Sequence, residues 1–303
     1  MKYRDKTAFR QALQQRLKDR AEGDGALLVR HRKRVAFDRL LARLLAVAEG
    51  QWLLKGGFAL DLRLATRARS TKDVDIEWRA EEAKLLDVLL DAANYDAGDF
   101  FEFAIERAGV PEDRLDGSHR FRVSASLAGR SFESFLLDVG FRSDDALEAE
   151  TLRTDDLLGF AEIEPVEVQA VPLELQVAEK LHAYTRVYEG GRTSSRTKDL
   201  IDLALIAELS QLDAAGLRRE IDTIFELRGT HAAPASLPLP PAEWAGPFRR
   251  LAEEVGVPGD LEAGHRDAAA LVDPILSGEV ASGTWDSARR RWAAEKSSEE
   301  RRT

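Results

Sequence analysis

Apolar residues along this chain recur with two periods. A spacing of three or four residues predicts helices. Phe37, Leu40, Leu41, Leu44 and Leu45 form the stripe of one that opens at the basic cluster Arg30–Arg34 and runs to about Glu49, with Gly50 as its cap. Leu85, Leu86, Leu89 and Leu90 mark a second over Ala80–Ala93 as its buried positions, and further helices are expected over Leu173–Val187, from Arg196, over Asp213–Arg228 and near Glu243–Val255 and Glu262–Leu276. A last helical segment should carry Trp285 and Trp292, and residues 1–22 read as a charged, peripheral helix. Strict alternation predicts strands at Thr71–Glu77, His119–Leu127 and Ser131–Phe141, the last two joined as a hairpin through Ala128-Gly129-Arg130. Phe100–Ile105 is a further strand, and Trp52-Leu53-Leu54 is the end of a buried one. There the chain turns at Lys55-Gly56-Gly57 and enters a helix over Phe58–Leu64, with Phe58, Leu60, Leu62 and Leu64 on one side. Residues 142–172 have no clear period, Glu189–Ser195 is a polar loop, Ala232–Pro241 a proline-rich connector and Glu295–Thr303 a frayed tail.

These elements imply an α/β (α+β) chain: a small mixed sheet with flanking helices, followed by a mostly helical C-terminal region. The boundaries expected are N-terminal helices over 1–50, a sheet core over 51–145, a helical domain over 146–230, and the connector with C-terminal helices over 231–303. With 303 residues, 44% hydrophobic and 32% charged, the chain has the composition of a globular protein able to form two packed domains. It has no cysteine, which excludes disulfides, thiolate metal sites and a cysteine nucleophile. Its five histidines are scattered and make no zinc pattern. No run is long and apolar enough for a membrane span, and the charged start lacks a secretory core, so a cytoplasmic location is expected.

Charge changes this picture only locally. The net charge of −10 argues against bulk attraction to nucleic acid. Yet Lys55–Lys72 and Lys180–Lys198 each carry five basic residues against one acidic. Two basic stretches on an acidic chain suit a polyanionic ligand, with Arg67 and Arg69 as candidate contacts. For Arg30–Arg34, a solvated helix start and a nucleic-acid contact are both open readings.

Carboxylates supply the candidate chemistry. In the strand over Thr71–Glu77, Asp73 and Asp75 point the same way, roughly 6.6 Å apart, while Val74 and Ile76 enter the core. Two oxygen ligands so placed suit divalent ions of a phosphoryl-transfer site. Asp138 lies inside the apolar run Leu136-Leu137-Asp138-Val139-Gly140, where a charge needs a partner or a metal. Asp199 and Asp202, three apart, share one face of the helix from Arg196.

The order strand, Gly-Gly turn, helix, then a strand bearing Asp-x-Asp resembles the polymerase-β-like nucleotidyltransferase superfamily. Phe58 stands where many members carry a hydroxyl residue, which leaves the backbone N–H groups to meet phosphate. Lys55-Gly56-Gly57-Phe58-Ala59-Leu60, Ser70–Glu77, Leu136–Phe141, Glu179-Lys180-Leu181-His182-Ala183 and Lys198-Asp199-Leu200-Ile201-Asp202-Leu203 together, over about residues 50–210, resemble the AbiEii/AbiGii toxin family of type IV toxin–antitoxin pairs. That resemblance implies a nucleotidyltransferase core, magnesium (or manganese) as cofactor, a nucleoside triphosphate substrate, an RNA acceptor such as the tRNA acceptor end, and a cognate antitoxin protein. It implies Asp73, Asp75 and Asp138 as metal ligands, with Lys55, Gly56 and Gly57 at the phosphates. Lys180 would stabilise charge on the triphosphate. Asp199 or Asp202 would orient Lys180 or a ribose, and spacing leaves that choice open.

Two competing functions use the same residues. A metal-dependent nuclease or phosphohydrolase would activate water at the carboxylates, but leaves the Gly-Gly turn and Lys180 without a role. A catalytically silent binding protein of the same fold leaves the costly buried acids unexplained.

Overall fold

In the computed structural model, residues 1–109, 118–141, 148–188, 192–193 and 196–294 are described. The chain divides into two compact units, Met1–Arg63 with Ser70–Val171, and Leu64–Arg69 with Pro172–Thr303.

The first unit is built on a seven-stranded mixed sheet. Its strands are β1 (Trp52–Lys55), β2 (Asp73–Trp78), β3 (Phe101–Ala108), β4 (His119–Leu127), β5 (Arg130–Phe141), β6 (Glu150–Arg153) and β7 (Glu167–Ala170), in the order β3-β4-β5-β2-β1-β7-β6. β2 runs parallel to β5 and antiparallel to β1. One face of the sheet packs into the core through Leu54, Val74, Ile76, Leu137 and Val139, all with no exposed surface. The short β6 and β7 fall in the stretch that lacks period; four-residue strands carry too few alternations to be read.

Helix α1 (Lys6–Arg20) belongs to this core rather than to the periphery: Phe9, Leu13 and Leu17 are buried. Three apolar residues at four-residue spacing suffice for an anchoring stripe, each contributing about 1.5–3 kcal/mol by burial. In α2 (Gly25–Ala48), Asp24 caps the start, and the Phe37 ring meets those of Phe58 and Phe135 at 4.9 and 4.7 Å. The basic cluster on α2 turns inward. Arg30 and Arg34 both bond Asp61, Arg34 also bonds Asp155, and Arg32 bonds the Phe132 carbonyl and lies over its ring.

The helix after β1, α3 (Gly56–Leu64), starts at the first glycine, so Gly56-Gly57 is its opening turn. Phe58, Ala59, Leu60, Asp61 and Leu64 are all buried, whereas Leu62 is half-buried. Two-residue spacing cannot keep to one side of a helix, and α3 is covered around most of its girth. In α4 (Leu85–Asn94) the buried residues are Leu85, Leu89 and Ala92, while Leu86 and Leu90 are 43% and 44% exposed. A ten-residue helix packed on one side has room for one apolar stripe, and these two leucines fall beside it.

The second unit is mostly helical: α5 (Leu173–Thr185), α6 (Thr197–Leu209), α7 (Ala214–Arg228), α8 (Ala245–Val255) and α9 (Leu261–Leu276), with α6 packed against α5, α8 and α9. Asp213 caps α7 and Gly229 ends it in the left-handed conformation. Of the loop Glu189–Ser195, only 192–193 lie within the described residues, in a small hairpin of β8 (Val187–Tyr188) and β9 (Arg192–Thr193); the tail 295–303 lies outside them. Trp285 and Trp292 are not helical. They pair across a hairpin of β10 (Thr284–Asp286) and β11 (Arg291–Ala293), ring centroids 5.5 Å apart. Their indole N–H groups donate to the carbonyls of Ala207 and Leu271, which anchors the hairpin on α6 and α9.

Candidate active site

The register of β2 against its neighbours assembles the acidic face. Val74 pairs with Leu137 and Ile76 with Val139 in the core, so the alternate residues Asp73, Asp75 and Glu77 face the other side with Leu136, Asp138 and Gly140. Asp75 and Asp138 are direct partners on parallel strands, and Lys55 of β1 is the partner of Asp75 on the opposite flank. Asp73, Asp75 and Asp138 therefore stand together on one face of one sheet.

Two glycines make room on this face. Gly56 has φ +68°, and a β-carbon there would lie 2.5 Å from the Asp75 carboxyl carbon, inside that side chain. The start of α3 and the carboxylate of Asp75 are thus in direct apposition. Gly140 is the second case: a β-carbon would sit 2.8 Å from the Lys55 ammonium, which reaches across β2 to Glu77 at 2.5 Å. Lys55 lies on this face, with its charge directed to Glu77.

Asp138 is held by Arg120, its cross-strand partner on β4. Nε and one terminal nitrogen of the guanidinium donate to the two carboxylate oxygens at 2.6 and 2.8 Å. The hydrogen bond to Asp138 and the fields of Asp138, Asp73 and Asp75 push the Arg120 pKa further up despite its burial. Among the described residues no three or more histidine, aspartate or glutamate side chains are gathered as a ready-made metal site. The donor chemistry nevertheless fits a hard divalent ion: Asp73 and Asp75 offer oxygen ligands from one strand, and Asp138, here engaged by Arg120, is a third oxygen donor on the same face.

In the second unit, α5 and α6 bring Lys180, Asp199 and Asp202 together. The Lys180 ammonium lies 2.6 Å from Asp202 and 3.7 Å from Asp199. Asp202 has no exposed surface and also accepts a two-point contact from Arg69 at 3.0 and 2.9 Å. Burial opposes its charge, but Lys180 and Arg69 outweigh burial and hold it below the usual carboxylate range. Asp199 goes the other way: burial raises it, Lys180 and Arg196 only partly offset that, and its Oδ2 has no hydrogen-bond partner among the described residues. Spacing leaves the two acids equivalent; in the structure Asp202 accepts the hydrogen bond of Lys180, and Asp199 lies at ion-pair distance.

His182 of the same helix points elsewhere. It is 1% exposed, its Nε2 lies 2.9 Å from the Thr230 hydroxyl, and its ring packs on Phe225 and His231. Burial, then the nearby Arg228, pushes its pKa down to about 3.

Two residues of these arrangements carry no role in the sequence reading: Glu77, visible as the third residue of the alternating row, and Arg120, whose partner is 18 residues away. Arg69, read as a candidate polyanion contact, instead bonds Asp202, 133 residues away. The basic stretches are also partly consumed internally: Arg63 bonds Glu150, Arg67 bonds Glu208, and Lys55, Arg69 and Lys180 are paired as described.

Comparison with known proteins adds an independent line. A family model described as the nucleotidyl transferase AbiEii toxin of a type IV toxin–antitoxin system matches residues 39–290. Among solved structures, the chain is similar in fold to MenT4, a nucleotidyltransferase toxin from Mycobacterium tuberculosis, at 22% identity and a TM-score of 0.58 over 97% of this chain and 96% of that one. A lesser similarity is to JHP933 from Helicobacter pylori, at 16% identity and a TM-score of 0.44 over 82% of this chain and 93% of that one. No curated protein matches in sequence.

Proposed function

The chain belongs to the AbiEii family of nucleotidyltransferase toxins of type IV toxin–antitoxin systems, and from this premise we propose that it moves a nucleotide from a nucleoside triphosphate to an RNA acceptor with a divalent cation at Asp73, Asp75 and Asp138. A nucleoside triphosphate substrate and an antitoxin partner follow from the family; magnesium, the RNA and its identity as the tRNA acceptor end are the proposal. The observation that carries it is the pairing of Asp75 with Asp138 on adjacent parallel strands, with the glycine start of α3 against Asp75.

Each residue then has a task derived from its surroundings. Asp73 and Asp75 would hold magnesium (or manganese), which supplies Lewis-acid stabilisation of phosphoryl oxygens when bound. Because Gly56 has no side chain, the first turn of α3 lies against the Asp75 carboxylate, so a phosphate bound through a cation at that acid would meet the main chain of this turn. Lys55 is kept oriented by Glu77 beside that turn. Asp138 would complete the cation site that activates the acceptor hydroxyl. Lys180, whose direction is fixed within the second unit by Asp202 and, through it, Arg69, would by the family resemblance stabilise charge on the triphosphate.

The experiment is transfer from each of four labelled triphosphates to total RNA with magnesium. Lengthened, labelled RNA from the wild type and none from folded Asp75→Asn is the expected result. Shortened RNA without label would replace transfer by hydrolysis as the reaction.

A further inference from the structure

The Arg120–Asp138 pair differs from the other buried arginine–carboxylate forks of the first unit in one respect. Arg43 is bound to Asp99 by two hydrogen bonds, donates to the carbonyls of Arg39 and Phe101 as well, and lies over the Phe103 ring. Both side chains of that pair are 1% exposed. It is a staple: main chain and ring hold the guanidinium even without the acid. Arg120 makes its hydrogen bonds to Asp138 alone among the described residues, at 12% side-chain exposure. Among the described residues no main-chain carbonyl or ring holds it as Arg43 is held, and Asp73 and Asp75 act on it only through their charge.

The acid it holds is the one in register with Asp75. Arg120, Asp138 and Asp75 are successive cross-strand partners on β4, β5 and β2, so the three side chains lie in a row on the same face. Two neighbouring carboxylates repel each other, and a guanidinium at the end of the row relieves that repulsion. It does so by engaging both Asp138 oxygens, the same atoms a cation would use. A triphosphate offers Arg120 another multiply charged acceptor, whose phosphoryl oxygens a guanidinium fork can engage in pairs.

We propose that Arg120 is a positioning residue that keeps Asp138 from binding a cation in the empty protein and passes to the triphosphate when nucleotide enters. Cation and triphosphate binding are thereby coupled through one side chain. The inference rests on the assignment of Asp75 and Asp138 given above.

Calorimetric titration of Mn²⁺, and separately of the Mn²⁺–tripolyphosphate complex, into the wild type, Arg120→Gln and Arg120→Lys tests this without any turnover. Arg120→Gln should bind Mn²⁺ alone about tenfold more tightly and Mn²⁺–tripolyphosphate about tenfold more weakly than the wild type. A residue needed only for folding would weaken both, which overturns the proposal. Arg120→Lys keeps the charge without the fork and should shift Mn²⁺ affinity in the same direction by less; it also serves if the glutamine variant does not fold. Unchanged or weaker Mn²⁺ binding in a folded variant overturns the proposal. Asp75→Asn separates the two levels of inference. If Asp75→Asn abolishes Mn²⁺ binding while the Arg120 variants match the wild type, only the role of Arg120 falls. If Asp75→Asn binds Mn²⁺ normally, the carboxylate assignment falls and the coupling with it.

Discussion

Asp75 and Asp138 stand side by side on parallel strands, one strand spacing of about 4.8 Å apart, pointing away from the core that their neighbours Ile76, Leu137 and Val139 fill. Such a pair is electrostatically unfavourable by itself, and under the proposed function a bound cation would offset the repulsion. Asp75→Asn should therefore lower transfer at least about 100-fold, the scale of losing one preorganised charge contact, while the thermal midpoint stays or rises. A folded Asp75→Asn enzyme with wild-type turnover would remove the central assignment.

The two glycines of this face make opposite predictions. Gly56→Ala meets both a positive φ and the Asp75 carboxylate, so it should lose about 1–3 kcal/mol of stability and most activity. Gly140→Ala meets only side-chain ends, the Lys55 ammonium and the Glu77 carboxylate, so stability should change by less than about 1 kcal/mol while nucleotide binding weakens. Denaturant melts beside nucleotide titrations read the contrast. Equal stability losses in both variants would count against it.

Lys180 and Asp202 form a buried pair, and removing one partner strands the other. Lys180→Met should lower the transfer rate by roughly 100-fold while changing nucleotide affinity less. It should also destabilise the fold, by less than the about 3–5 kcal/mol typical of a broken buried pair, because Arg69 still faces Asp202. Single-turnover transfer, equilibrium nucleotide binding and a double-mutant cycle with Asp202→Asn check the two effects separately. Additive stability losses would show that the pair is not coupled.

Acid should unfold the protein through His182. Its folded pKa, about 3, lies below the ordinary 6.5, so between these values the unfolded chain binds a proton that the folded chain does not. Stability then falls as pH drops below about 6.5. Asp202, held below its ordinary 3.8, adds a loss of the same sign further down, as pH falls through that value. The raised Asp199 acts oppositely above 3.8, binding a proton in the folded state. Urea midpoints at pH 5 and 7.5 should differ in the wild type and differ less in His182→Gln. An equal difference in both would place the acid sensitivity elsewhere.

Much of the site was legible because its chemistry is local. The Asp73/Asp75 alternation, the glycines that open α3, and the lysine and aspartates of α5 and α6 each sit within a single element. Local period failed where packing decides. Leu86 and Leu90 look as buried as Leu85 and Leu89, and only the number of neighbouring elements leaves them exposed. Trp285 and Trp292 suit a helix by spacing, yet their indoles are placed by carbonyls on α6 and α9.

The β4–β5 register shows the boundary most clearly. Counted outward from the turn, Leu127–Arg130 and Ser126–Ser131 would go on to pair Arg120 with Leu137. An irregularity at Ala125/Ser126 shifts the ladder by one residue, after which Arg120 meets Asp138. A one-residue slip exchanges the faces of a strand, so this bulge decides whether the guanidinium reaches the acid. Charge behaves the same way. The linear count found two basic stretches, but Arg63, Arg67, Arg69 and Lys180 are met by acids far along the chain. By itself the sequence determined which residues lie on which element and what chemistry they carry, because those follow from backbone periodicity. Which of them face one another was decided by tertiary structure, because register, burial and ion pairing depend on groups that are distant in sequence.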